Sequence, residues 1–382
     1  MDVIIAGAGI GGLAAALAFA RAGAGVTVLE RHETFRDSGG GIQLTPNGAR
    51  VLHALGLADK LDEIGTASQA VEAIDGIGGR RIFRMPIASD LPYRYILRWR
   101  LTEALAAAAE AAGARVELDC GVRAAHPEGE VELSSGDRRR ADLVIGAEGI
   151  NSGTRARLNG AARPFFTGNV AWRAVVEAEA PPWSRLWLLP GRHAVAYPVG
   201  PGLTNLVAVR EQSSWVSEGW AQRDSPQAMQ AAFGDACDDL RALLEKVEEV
   251  NLWGLFRHEV APRWHEGRVA ILGDAAHPTL PFLAQGANMA IEDAWALASE
   301  VTAGGAVEPA LARYQARRRD RAAQVIAASS GNAKKFHLSG LPRFAGHAAL
   351  RLGSAIAPRF MRGHYGWIYD HDETALVPGG DG

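Results

Sequence analysis

Cysteine is scarce in this chain. Cys120 and Cys237 are the only two in 382 residues and form no CxxC, which excludes a disulfide framework and points to a reducing compartment. There is no basic excess either: 40 Lys and Arg stand against 43 Asp and Glu, a net charge of −3, so the balance gives no reason to expect nucleic acid as a partner. The 11 histidines show no metal-ligand spacing, no metal is expected, and neither a P-loop nor a GxSxG nucleophile elbow occurs. Internal repeats and low-complexity segments are missing. Long apolar runs are missing too, with one near-exception. Val3 to Ala20 carries no charged residue, about the length of a membrane span or a signal peptide's core. No basic segment precedes it, it is mostly Gly and Ala, and Gly7 to Gly12 breaks it, so a strand followed by a buried helix explains it better. A cytoplasmic protein without a membrane anchor is expected.

What is present begins in that same stretch. Asp2 to Ala6 is a short β-branched apolar run, and Gly7-x-Gly9-x-x-Gly12 follows at once. Leu13 to Ala22 reads as an alanine-rich helix and Gly25 to Leu29 as a second strand ending on Glu30. This is the strand–turn–helix–strand context of a dinucleotide fingerprint. Gly7 makes the turn, Gly9 lets a pyrophosphate approach the backbone, and Gly12 lets the helix pack close to the sheet. The helix N-terminus offers free N–H groups to the phosphates, and Glu30 offers acceptors to ribose hydroxyls. By itself the fingerprint is open between NAD and FAD. It occurs once, and Gly200-Pro201-Gly202 does not make a second, so a stationary NAD(P)H domain is not expected.

Farther along, Thr45 reads as an N-cap with Pro46 at the first helical position, and that helix runs to Leu55. Val71 to Ile77 and Arg81 to Met85 read as a hairpin, Arg98 to Ala112 as a helix, and Val116 to Ala125, Val131 to Ser134 and Ala141 to Ile145 as strands. Val170 to Val176, Leu186 to Leu189, Ala194 to Pro198 and Leu203 to Val209 suit an antiparallel sheet, and seven of the ten tryptophans lie from Trp172 to Trp264. Ser225 to Phe233 and Asp238 to Val247 read as helices beside it. Val269 to Leu272 is a strand ending at Gly273-Asp274-Ala275-Ala276-His277-Pro278, where a carboxylate can hold a sugar alcohol or simply cap a turn. Helices follow from about Gly286 to Val301 and Pro309 to Ser329. The Gly-rich tail is expected to be mobile.

These segments, in order, resemble the single-component FAD-dependent aromatic hydroxylases, the p-hydroxybenzoate hydroxylase superfamily, in the branch with salicylate and 3-hydroxybenzoate 6-hydroxylases. The resemblance rests on the fingerprint with Glu30-Arg31, Gly40-Gly41-Ile42-Gln43 with Pro46-Asn47, and Arg98-x-x-Leu101-x-x-x-Leu105. It continues through Gly146-Ala147-Glu148-Gly149-x-x-Ser152-x-x-Arg155, Thr167-Gly168-x-x-Ala171-Trp172-Arg173, and Gly273-Asp274 with Gln285-Gly286-Ala287-Asn288. It implies an α/β fold: a Rossmann-like FAD-binding domain (1–67, 98–162 and 262–335), a mixed β-sheet substrate domain (68–97 and 163–261), and a C-terminal helical segment and tail (336–382). It implies bound FAD contacted by Gly7, Gly9, Gly12, Glu30, Arg31, Gln43, Arg98, Val122, Asp274, Gly286, Ala287 and Asn288.

The activity it implies is transient reduction of FAD by NADH or NADPH, O2 addition at flavin C4a, and OH transfer from the hydroperoxide to a small aromatic acid or phenol. Without a required protein nucleophile, the protein's tasks are to exclude water and favour phenolate. In the salicylate-like branch His193 and Tyr197 line the substrate pocket; four apart on a strand, they share a face. They are the expected catalytic pair, His193 as proton acceptor, and the alternative is two half-buried strand residues facing the other domain. Phe282 falls where relatives often carry His or Tyr and is expected, with Gln43, at the substrate. Glu148 replaces the family's usual Asp, which puts the nicotinamide contact in doubt. His277 is expected to brace its loop. Two further possibilities are open: a flavin epoxidase or oxygenase for a larger non-phenolic substrate, and a FAD-binding sensor without turnover. A monomer and a homodimer are both compatible.

Overall fold

The computed structural model describes every residue except 36–39, 88–90, 92, 216–220, 357–362, 364 and 379–382; part of the polar segment after Glu30 and the end of the Gly-rich tail therefore lie outside the described residues. The first strand, Asp2–Ala6, sits inside a six-stranded sheet in the order His265–Glu266, Val269–Ile271, Leu143–Gly146, Asp2–Ala6, Gly25–Leu29, Arg115–Glu117. All pairs are parallel except that at the His265–Glu266 edge. Such a sheet is covered on both faces. The helix Ile10–Arg21 is buried at every position from Ile10 to Ala20 and packs between the sheet and the helices Arg98–Ala111 and Gly286–Thr302. Its small residues allow this: a Cβ on Gly12 would fall 2.0 Å from the Gly7 carbonyl oxygen.

The second large sheet has eight strands, in the order Ala221–Asp224, Val250–Arg257, Phe165–Glu177, Leu203–Glu211, Arg192–Gly200, Trp183–Leu189, Ala70–Asp75, Arg81–Pro86. It is mixed, because Trp183–Leu189 runs parallel to Ala70–Asp75. Alternation along its strands divides its faces. Trp172, Ala174, Ala194, Ala196, Leu206 and Ala208 pack under Met229, Leu240 and Leu244 of the helices Pro226–Ala232 and Asp238–Leu244 and under Phe233, which ends the first of them. The other face looks toward the first sheet's ligand-binding end. Between them lies a small antiparallel sheet of Gly41–Leu44, Arg94–Leu97 and Gly65–Ala67. Gly41 is pressed onto the large sheet, where a Cβ would meet Val199 at 2.7 Å and Tyr197 at 2.8 Å.

Several local expectations change. Residues 116–125 are not one strand: Arg115–Glu117 ends the six-stranded sheet, Asp119 takes φ +52°, and Val122–His126 starts a separate meander. Two sheets claim the two halves, so the chain bends between them. The helix after Thr45 is present as Pro46–Ala54, but the Thr45 side chain does not cap it; its hydroxyl donates to Asn47 Oδ1 and accepts from Gln285 Nε2. The strand Val250–Arg257 carries no clean alternation, so local pattern does not predict it. The helix expected to stop at Ser329 runs from Val307 to Phe336. Ser329 and Asn332 do not break it, because they bond outward to the Leu280 carbonyl and the Tyr365 hydroxyl. No helix among the described residues is long and apolar enough to cross a membrane.

Candidate cofactor cleft and active site

Ligands of open parallel sheets bind beyond the carboxyl ends of the strands, and the sequence-predicted cofactor residues gather there. Gly7 turns at φ +104°. The helix Ile10–Arg21 has no side-chain cap, and a Cβ on Gly9 would meet nothing within 4 Å; no side chain among the described residues claims its first N–H groups. Glu30 is busier than its motif suggests. Its carboxylate accepts from the Ala8 N–H at 2.8 Å and the His32 N–H at 3.1 Å and also pairs with the His32 ring. A carboxylate has about four acceptor positions, so roughly one is left for a ribose. Arg31 is exposed and partnerless among the described residues, and its Cβ would lie 3.3 Å from a Cβ on Gly121, next to half-buried Val122.

At the other end of the cleft, Asp274 sits in the short turn Gly273–Ala275. Its carboxylate opens onto the cleft and accepts no hydrogen bond among the described residues. Burial on its other sides raises its pKa, against the opposing pull of His277 and Arg98 and with a further rise from Asp293. Arg98 is exposed, and its guanidinium has no partner among the described residues. The helix Gly286–Thr302 also lacks a side-chain cap, and its first intrahelical donor is Met289 N–H, to the Gln285 carbonyl at 2.8 Å. The N–H groups of Gly286, Ala287 and Asn288 are thus available. The Asn288 side chain is not: it accepts from Thr45 N–H and donates to the carbonyls of Gln43 and Ala284. It stitches the Gln43 strand to this helix. Two uncapped helix N-termini, an unengaged carboxylate and a free guanidinium fit the pyrophosphate, ribityl and flavin ends of FAD.

Glu148 has a structural explanation. Its carboxylate turns back to accept from Ser152 Oγ at 2.6 Å, Thr154 N–H at 3.1 Å and Thr154 Oγ1 at 2.5 Å, holding the start of the helix Gly153–Asn159. Arg155 then ties this turn to the carbonyls of Ala275, Ala276 and Glu259. His277 pairs with Asp293, which also accepts from the Gly273 N–H at 3.0 Å; it braces the Asp274 loop. Asp293 and Glu292 are bound in turn by the fully buried Arg318. Glu292, His371 and Glu373 lie close enough to share an ion, but Arg317, Arg318 and Arg321 already take their carboxylate oxygens.

On the cleft-facing side of the large sheet, register places side chains in rows. Ala171, Val209 and His193 form one; Arg173, Val207 and Val195 the next; Val175, Asn205 and Tyr197 the third. His193 is 2% exposed, with Phe282 and Phe336 edge-on at ring distances of 5.3 Å. Burial, then the adjacent His337, holds its pKa well below the ordinary imidazole value, so it is neutral. Tyr197 stacks on Tyr95 at 4.9 Å and donates to the Gly41 carbonyl at 2.8 Å. Burial raises its pKa, although Arg173 opposes the shift. Its proton is therefore committed to Gly41, and its oxygen can still accept. Gln43 accepts from the Tyr93 hydroxyl, so its amide oxygen is partly engaged.

Three pocket residues lay outside the expected set. Arg173 is half-buried on the cleft face, its Nε shielded and unpartnered, with no ion pair among the described residues. Burial lowers its pKa, Tyr197 opposes and Arg98 adds to the shift. Its motif was visible, its orientation was not. Phe336 and His337 come from the far end of the long helix, and no local signal points them at this pocket.

A family described as FAD binding domain matches residues 1–329. The chain is 34% identical over 390 residues to the 3-amino-4-hydroxybenzoate 2-monooxygenase PtnB3 of Streptomyces platensis, covering 98% of this chain and 97% of that protein. It is 33% identical over 362 residues to the 3-hydroxybenzoate 6-hydroxylase of Polaromonas naphthalenivorans (strain CJ2), covering 90% of each. Among solved structures, a salicylate hydroxylase substrate complex matches with a TM-score of 0.83 at 23% identity, over 98% of this chain and 96% of that one. At that identity the likeness speaks for the fold.

Proposed function

This chain belongs to the flavoprotein aromatic hydroxylases of the FAD binding domain family, and from that premise we propose that it hydroxylates a small phenolic aromatic acid, with O2 and NADH or NADPH as co-substrates. The observation that carries the substrate class is the pairing, on one sheet face and one row apart, of neutral buried His193 with Arg173, whose guanidinium lies over the Trp253 ring at 6.0 Å and has no carboxylate partner among the described residues. A cation in a low-dielectric site without a counter-ion favours an anionic ligand, so Arg173 takes the carboxylate. His193 accepts the phenolic proton, since a neutral imidazole can act as general base, and Tyr197 flanks the ring.

Bound FAD, once reduced, supplies an electrophilic oxygen taken from O2. The chain does the rest: Ala171, Val207, Val209 and Phe282 keep water from the ring, and His193 raises the ring's electron density by removing a proton. With Glu148 committed to Ser152 and Thr154, the transient nicotinamide is held by other groups. Phe282 also suits a larger, non-phenolic ring. On that second reading, loss of His193 leaves the rate unchanged.

NAD(P)H oxidation and product mass with 3-amino-4-hydroxybenzoate, 3-hydroxybenzoate and salicylate test the proposal. At least one should stimulate turnover and gain one oxygen; no stimulation by any of them, at full FAD content, sinks it. His193→Gln with Tyr197→Phe should slow hydroxylation by roughly 10²–10⁴-fold, or divert it to H2O2, with FAD still bound. Arg173→Gln should raise KM for the acid by roughly tenfold to a hundredfold, the worth of one charge-assisted hydrogen bond. The corresponding benzamide should be nearly unaffected; equal losses for acid and amide would remove Arg173 as the carboxylate anchor.

A further inference from the structure

We propose that His193, His337 and Glu211 form a proton relay that carries the substrate's phenolic proton from the closed pocket to the protein surface, and returns a proton to the product. The inference rests on the hydroxylase function above. Its basis is a continuous chain of contacts. His193 Nδ1 lies 2.8 Å from His337 Nε2, and His337 Nδ1 lies 3.0 Å from Glu211 Oε1. The inner end is buried and the outer end is not: the Glu211 side chain is 61% exposed.

Donor and acceptor chemistry sets the direction. An ionised carboxylate only accepts, so the His337 Nδ1 facing Glu211 carries a hydrogen. Burial lowers the His337 pKa and Glu211 opposes that shift; in neutral His337, Nε2 is then a lone pair. It accepts from His193 Nδ1–H, which leaves His193 Nε2 as the unprotonated nitrogen, without a partner among the described residues.

The step balances. The phenol O–H bond breaks as an N–H bond forms at His193 Nε2. The Nδ1 proton of His193 passes to His337 Nε2, and the Nδ1 proton of His337 passes to Glu211 and then to water. One proton enters the chain and one leaves; both imidazoles exchange tautomers and stay neutral. Run backwards, the same shift protonates the product and resets the tautomers. The physical need for it is plain. Stopping at His193 would leave an imidazolium paired with the phenolate, which holds that negative charge back from the ring. Passing the proton on leaves the phenolate beside a neutral imidazole, with its charge free to enter the ring.

The geometry is held by backbone bonds that involve none of the relay nitrogens. The His337 carbonyl accepts from Gly191 N–H at 3.1 Å, and the Gly191 carbonyl accepts from Glu211 N–H at 2.9 Å. The tight turn before His193, the end of the Glu211 strand and the end of the long helix therefore meet at one junction. Outside it is a groove of about 750 Å³ lined by Glu211, His337, Arg257 and Lys334 among others, which gives the proton a route to bulk water.

His337→Gln separates relay from support. The amide can accept from His193 and donate to Glu211, yet cannot pass a proton on. Holoenzyme is mixed with 3-amino-4-hydroxybenzoate in weak buffer containing an indicator dye, and proton release is followed by stopped flow beside hydroxylation. His337→Gln should keep FAD content, melting temperature and probe affinity, while proton release and hydroxylation slow by roughly tenfold to a hundredfold. Imidazole added to His337→Gly should restore part of both. Glu211→Gln, a surface change, should give a smaller loss in the same direction, and it decides the matter if the His337 variants fold poorly. Wild-type proton release in His337→Gln, or in Glu211→Gln should that test be needed, overturns the relay and leaves the hydroxylase function standing. No turnover of any phenolic acid by the unaltered protein overturns both.

Discussion

Asp274→Ala is expected to purify largely colourless, with FAD lost from most molecules. The carboxylate stands at the carboxyl end of Val269–Ile271, opens onto the cleft, and has no internal partner among the described residues. Its removal therefore disturbs no visible contact of the fold. What it removes is an acceptor for a sugar alcohol. One or two charge-assisted hydrogen bonds, at about 1.5–3 kcal/mol each, correspond to roughly tenfold to ten-thousandfold weaker binding. The flavin-to-protein absorbance ratio and a fluorescence titration of the apoprotein measure it. Full occupancy in the alanine variant would take Asp274 out of the cofactor site.

The second large effect is on stability. Arg318 is completely buried and binds Glu292, Asp293 and Glu373 at 2.6, 2.8 and 2.6 Å. Glu373 comes from the C-terminal segment, so this one guanidinium fastens that segment to two helices. Arg318→Leu leaves three acids around a missing cation. Breaking a buried pair in this way costs about 3–5 kcal/mol, and the melting temperature should fall by roughly 4–6 °C. A melting temperature within about 2 °C of the parent would show that the remaining arginines suffice.

The same network has a pH signature. Burial alone would raise Glu292 and Asp293, but Arg318 with Arg321 for the first, and His277 with Arg318 for the second, outweigh it and hold each at about 2. Groups with depressed folded pKa values stabilise the fold above their ordinary values and lose that contribution as pH falls through the folded ones. The stabilisation is thus present above about pH 4.5 and disappears toward pH 2. Arg318→Leu should unfold at a higher pH than the parent in an acid titration followed by circular dichroism.

The cofactor half of the cleft was legible in the sequence because each of its parts is local. Gly7 to Gly12, Glu30, Asp274 and Gly286 to Asn288 each lie where a strand ends or a helix begins, within a dozen contiguous residues, and the spacing alone implies a ligand. Even there, side chains could not be assigned. Glu30 and Asn288 are mostly spent on their own backbone neighbours, and Glu148 uses its extra methylene to reach Ser152 and Thr154.

The substrate half was different. Alternation along Arg192–Gly200 is enough to put His193 and Tyr197 on one face, and the sequence determined that much. That Arg173 lies in the row beside His193 depends on the register of three strands, and register is fixed by packing between distant segments. That Phe336 and His337 close the pocket depends on where a thirty-residue helix ends, which its contacts with Leu280 and Tyr365 decide. The sequence by itself determined that the chain is built to hold a dinucleotide, because glycines, strand ends and helix starts act over a few residues, and the order of its motifs, through the resemblance they carry, made that dinucleotide FAD. Only the tertiary structure decided what surrounds His193, because His193 and His337 are brought together across 144 residues by side-chain packing that no local pattern encodes.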